Sequence, residues 1–165
     1  MMVLPQRKRN RLELFDYSRP GAFFITICAK DKKCIFWKVG ASIARPQSEM
    51  PLSEYGRVVN EKIHEISLRY SYIEVANYTI MPNHVHLLLT HYYDDSGRAM
   101  LAPTPDISRV VQQFKGAVTK AIGTAVWQKS FHDRIIRNEK EYQKIFEYID
   151  NNPLSWEADC FYNNS

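Results

Sequence analysis

The stretch Pro82-Asn83-His84-Val85-His86-Leu87-Leu88-Leu89 decides how this chain is read. Two histidines flank one apolar residue at the head of a β-rich run. Side chains alternate faces along a strand, so His84 and His86 point the same way. Their Cα atoms lie roughly 6.5–7 Å apart, close enough for both imidazoles to reach one cation. Val85, Leu87 and Leu89 point to the other face and read as core. The sheet therefore has a packed side and a chemical side, with both histidines on the chemical side. Pro82-Asn83 is a turn that leads into the strand. By itself, a His-x-His pair on a strand is more often a solvated or core-edge pair than a ligand set.

Around this stretch the chain reads as one domain. Its 165 residues, 45 % of them hydrophobic, suffice to bury a core without staples. The net charge of +4 permits a polyanionic partner without demanding one. Arg7, Lys8, Arg9 and Arg11 form a basic arm that suits a phosphate backbone, although such arms are usually solvated tails. Cys28, Cys34 and Cys160 show no CxxC pair and no zinc spacing. An odd cysteine count without a secretory signal points to a reducing, cytoplasmic setting. No apolar run approaches membrane-spanning length.

The expected organisation is an arm over 1–20, a catalytic domain over 21–153 and a tail over 154–165 anchored by Trp156. Ala22 to Cys28 is apolar on both faces and reads as an interior strand. Ser53 caps a helix running to about Tyr70, with Tyr55, Val58, Val59, Ile63 and Ile66 on its stripe. Tyr72 to Ile80 pairs with the histidine strand as a hairpin. Residues 92–105 read as an exposed loop. Asp106 caps a second helix, which Gly123 ends. On it, Arg109, Gln113 and Lys120 share a face away from the apolar stripe. A solvated face is the commoner reading of such a row, and a phosphate-binding one is the alternative. His132 to Arg137 reads as an edge strand, with His132 a surface histidine. Asn138, with Glu141 at the capping-box position, starts a third helix that must stop near Asn152 because Pro153 follows. This order predicts an α+β fold: a ferredoxin-like, largely antiparallel sheet with helices packed on one face and the other face open.

The third helix carries the second clue. Its core stripe is Tyr142, Ile145, Phe146 and Ile149. At 100° per residue, Tyr148 lies about 120° from the centre of that stripe. Asn152, one turn on, shares its flank. An amide oxygen can complete a metal site begun by two imidazoles, and a tyrosine beside it can attack a phosphate that the metal polarises. Alone, Tyr148 would more often be a boundary tyrosine. The histidines would also suit zinc, but no third His or Cys stands at a fixed spacing.

Five segments resemble the REP-associated tyrosine transposases, relatives of the small insertion-sequence transposases with a single catalytic tyrosine. They are Asp16 to Phe24, Met81 to Leu88, Val126 to Phe131, Ile135 to Asn138 and Tyr148 to Pro153. The second resembles the HUH motif, two histidines around a bulky apolar residue. The resemblance spans about residues 7–157. It implies an HUH-type fold and a metal-dependent strand transferase acting on single-stranded DNA, with a hairpin or repeat element as the target. It implies that His84, His86 and Asn152 hold Mg²⁺ or Mn²⁺. It further implies that Tyr148 forms a 5′-phosphotyrosine link and frees a 3′-hydroxyl. Phe131-His132-Asp133-Arg134 departs from the pattern, because many relatives have an acidic residue followed by histidine there. Three readings compete: the active transposase, acting as monomer or homodimer; an inactive single-strand binder of the same fold; and a hydrolase that uses water with Tyr148 a bystander.

Overall fold

The computed structural model describes residues 20–38, 51–92 and 106–158, so the basic arm at Arg7, Lys8, Arg9 and Arg11 and the 93–105 loop lie outside the described residues. The elements in chain order are β1 (Gly21–Cys28), a 3-10 turn (Lys30–Lys32), α1 (Glu54–Arg69), β2 (Ile73–Ile80), β3 (His84–His91), α2 (Ile107–Ile122), β4 (His132–Ile136), α3 (Glu139–Asn151) and a closing 3-10 segment (Asn152–Ala158). The strands form one antiparallel sheet in the order β2-β3-β1-β4. The first six main elements, with β3 between β1 and β2, make the split βαβ arrangement of the ferredoxin-like plan. The α+β class and the antiparallel sheet expected from the sequence are both present.

The helix ends follow local chemistry. The Ser53 hydroxyl accepts from Gly56 N–H and donates to Ile35 O, fixing the start of α1. The Asp106 carboxylate accepts from Ser108 N–H at the start of α2, and Gly123 ends that helix with φ 84. Asn138 Oδ1 accepts from Glu141 N–H. Glu141 returns a bond to Arg137 N–H, one residue earlier than a capping box would place it, and also pairs with Arg134.

One face of the sheet is the main core. Phe23, Ile25 and Ile27 of β1 and Val85, Leu87 and Leu89 of β3 pack there under α1 and α2. Each such side chain contributes about 1.5–3 kcal/mol on burial. The other face differs from the expectation. It is not open: α3 docks on it, packing Ile145 and Ile149 against Leu88 with Phe24 and Ile136 at the margin. The reason is legible in His84-Val85-His86-Leu87-Leu88-Leu89. Leu88 falls on the histidine face, so β3 is apolar on both sides and needs two covers. α1 and α2 thus keep the one-sided layer, and α3 is the addition.

A bulge in β2 sets where α3 sits. Val75 pairs with Leu89 but Asn77 pairs with Leu88, so Ala76 is extra. The register slip keeps Ile73 and Ile80 buried although seven positions separate them. It also turns Asn77 onto the histidine face. There Asn77 Nδ2 donates to Asp150 Oδ1 at 2.8 Å and to Phe146 O at 3.3 Å. No helix among the described residues is long and apolar enough to cross a membrane.

Candidate active site

His84 and His86 project from the first turn of β3 onto the face that α3 covers. Both are buried. Their Nε2 atoms converge to 3.0 Å, with ring centroids 4.5 Å apart. Each ring is held from behind. His84 Nδ1 lies 2.8 Å from Asn83 Oδ1, and His86 Nδ1 lies 2.9 Å from Thr26 Oγ1 on β1. Register explains the second contact: Thr26 stands directly opposite His86 in the β1–β3 pair. Phe24 stacks on His86 at 5.0 Å, and Trp156 lies against His84 at 6.0 Å. Burial holds the His84 imidazole neutral, with its pKa pushed down to about 3.

α3 brings the other two candidates. Tyr148 is 42 % exposed, and its Oη stands 3.4 Å from His86 Nε2. Its ring meets His86 at 5.4 Å and the edge of Phe24 at 6.0 Å. Asn152, at the C-cap of α3, is 3 % exposed, and its Oδ1 is buried with no hydrogen-bond partner among the described residues. It lies in the chain between Tyr148, which touches His86, and Trp156, which touches His84.

This donor set fits a divalent cation. Two imidazole nitrogens already point at each other with their outer nitrogens bonded, the arrangement that orients metal-binding histidines. The orphaned amide oxygen of Asn152 is of a type that could serve as a neutral third donor. Among the described residues no cluster of three His, Cys, Asp or Glu could hold a metal, so a site on this pair would need a donor of another kind.

The remaining candidates stand apart. Arg109 and Lys120 are exposed on α2, in the layer on the opposite side of the sheet. His132 is exposed on the edge strand, opposite Thr26. Sequence reasoning missed Thr26, Asn83, Phe24 and Trp156 as members of the centre. Asn83 could have been found from its position beside His84. Thr26 and Phe24 become visible only once the β1–β3 register is known.

The fold and this centre define an α+β domain of the transposase type, with a histidine pair on a central strand and a tyrosine on the helix that covers it. The chain belongs to the IS200-like transposase family, whose model matches residues 48–152. It is 31 % identical to an uncharacterized protein of Haemophilus influenzae over 173 residues, covering 94 % of this chain and 93 % of that one. It is 23 % identical to a second protein of that organism, named "Putative REP-associated tyrosine transposase", over 84 % of this chain and 73 % of that one. The solved structure of a REP-associated tyrosine transposase bound to a REP hairpin shares the fold, with a TM-score of 0.60 and 22 % identity over 88 % of this chain and 74 % of that one.

Proposed function

We propose that this protein cleaves and rejoins single-stranded DNA, with Tyr148 as the nucleophile and His84, His86 and Asn152 as the ligands of a Mg²⁺ or Mn²⁺ ion. The observation that carries the reading is the 3.4 Å approach of an exposed tyrosine hydroxyl to a buried, converged histidine pair. A core tyrosine would be enclosed, and a bystander would not need two aromatic neighbours to fix its ring.

The chemistry follows from charge. A phosphodiester anion repels a nucleophile, and a divalent ion at this site would supply the offsetting charge. Tyr148 Oη attacks phosphorus: the Oη–P bond forms, the P–O3′ bond breaks, the tyrosine gives up its proton and the departing 3′-oxygen gains one. The product is a 5′-phosphotyrosine and a free 3′-hydroxyl, which can return to reverse the reaction or be replaced by another 3′-end. Phe24 and His86 restrict the tyrosine ring. Asn152 contributes oxygen without charge, which leaves the cation's charge for the phosphate. The relative solved with a REP hairpin supports a substrate whose single strand adjoins a hairpin. The basic arm, with Arg7, Lys8, Arg9 and Arg11, is suited to that substrate's backbone.

The test is cleavage of an end-labelled single strand carrying a hairpin, with a plain duplex as control, in Mg²⁺ and in EDTA. The reading expects cutting of the single strand alone, and only with metal. Equal cutting of both substrates, or cutting undiminished by EDTA, would overturn it.

A further inference from the structure

α3 shows the sheet two different flanks. Asp150 lies on the β2 flank, where its carboxylate accepts from Asn77 Nδ2 at 2.8 Å. Tyr148 leans the other way, over β1, where its ring meets the edge of Phe24 at 6.0 Å. Beyond β1 lies β4, the outer strand on that side of the sheet. Alternation along β4 puts Ile135 in the main core and Ile136 in the cluster under α3. Arg134 and His132 share the face of Ile136. The register sets Arg134 opposite Phe24 and His132 opposite Thr26, both of which contact His86. Arg134 thus stands one strand, about 5 Å, beyond the residue whose ring touches Tyr148. Its Nη2 lies 2.5 Å from Glu141 Oε1 on α3, yet its side chain is 67 % exposed. A guanidinium carries five N–H donors, so donors remain for an anion. Glu141, Lys144 and Tyr148 follow at spacings of three and four along one flank of α3, and Lys144 is exposed.

We infer that Arg134 binds a backbone phosphate of the single strand next to the one that Tyr148 attacks, so that the strand crosses the β4 side of the site. The inference rests on the strand cleavage proposed above. Charge decides the side. Toward β4 the tyrosine is flanked by the exposed cations Arg134 and Lys144. Toward β2 the helix offers the carboxylate of Asp150, which repels a phosphate. Chemistry favours the arginine as the specific contact. Its planar fork can meet a carboxylate on one edge and a phosphate on another, with charge-assisted bonds to both. The bond to Glu141 anchors that fork to the helix that carries Tyr148.

The experiment uses the full chain as Tyr148→Phe, which should bind without cutting. The probe is a single-stranded hairpin substrate whose cut position has been mapped with the wild type. A neutral methylphosphonate replaces one phosphate at a time on either side of that position. At one flanking position the neutral group should weaken binding about 10-fold. Adding Arg134→Gln should weaken the unmodified strand by a similar factor and erase the effect of the neutral group at that position alone. Its unfolding midpoint should stay close to that of the parent, because an exposed ion pair contributes little to stability. The same scan profile with and without Arg134, beside a mapped wild-type cut, would overturn this inference alone. A wild type that binds the strand but never cuts it would overturn the proposed cleavage and this inference with it.

Discussion

Tyr148 and His86 stand 62 residues apart in the chain, yet the tyrosine Oη lies 3.4 Å from the imidazole Nε2. Neither β3 nor α3 accounts for this alone. The distance depends on how α3 is seated on the sheet, and a single residue of β2 ties the two together.

That residue is Asn77. The β2 bulge turns it toward α3, where it bonds Asp150 and the Phe146 carbonyl, on either side of Tyr148. Asn77→Ala should cost about 1–2 kcal/mol of stability, the worth of these bonds. It should reduce cleavage more than it reduces Mn²⁺ affinity, because the histidine pair does not depend on it. Denaturant unfolding, a cleavage assay and a Mn²⁺ titration check this together. Equal losses of metal affinity and cleavage would show that Asn77 does not act through the tyrosine.

His84 makes the metal-free fold sensitive to acid. Its pKa is about 3 in the folded protein, against roughly 6.5 in an unfolded chain. The folded-state value is depressed, so the contribution is present above pH 6.5 and is lost as pH falls toward 3. Within that window one proton costs about 1.4 kcal/mol per pH unit. Denaturant midpoints between neutral pH and pH 4.5 should fall more steeply for the wild type than for His84→Gln. Parallel curves would mean that His84 protonates without unfolding the protein.

Much of this site was legible in the sequence. The His84-Val85-His86 alternation placed both imidazoles on one face, and the off-stripe position of Tyr148 placed its hydroxyl away from the α3 core. The helix caps at Ser53, Asp106 and Asn138 could be read because their partners lie two or three residues away. What escaped was long-range. The docking of α3 on the histidine face turns on Leu88, which reads as one more residue of an apolar run until α3 is seen to cover it. The bulge at Ala76 hides because Ile73-Glu74-Val75-Ala76-Asn77-Tyr78 has no Gly or Pro to mark it. Thr26 is an ordinary strand residue until register sets it against His86.

Asn152 is proposed as the third donor, and among the described residues its Oδ1 makes no hydrogen bond that a substitution would break. Asn152→Ala should therefore change metal-free stability by less than about 1 kcal/mol, since the loss of an unpaired buried acceptor offsets the lost packing. The added stability that Mn²⁺ confers on the wild type should shrink in the variant. Thermal melts with and without Mn²⁺ separate the two effects. A variant stabilised by Mn²⁺ as much as the wild type would remove Asn152 from the ligand set.

The basic arm should reveal itself through salt. Each phosphate contact on a single strand adds roughly 0.7 to the slope of log affinity against log salt. Replacing Arg7, Lys8, Arg9 and Arg11 with glutamine should flatten that slope for a single-stranded hairpin substrate. The pair Arg109→Gln and Lys120→Gln, on the far side of the sheet, should flatten it less. An unchanged slope in the arm variant would place the phosphate contacts elsewhere.

The central claim is that Tyr148 becomes bonded to DNA. The direct measurement is mass spectrometry of proteolysed wild-type protein after reaction with a single-stranded hairpin substrate in Mg²⁺. The account predicts a nucleotide on the peptide containing Tyr148, attached through a 5′-phosphate. It also predicts no adduct in Tyr148→Phe, which should bind the same DNA and Mn²⁺ as the wild type does. An adduct on any other tyrosine, or full cleavage by Tyr148→Phe, would contradict it.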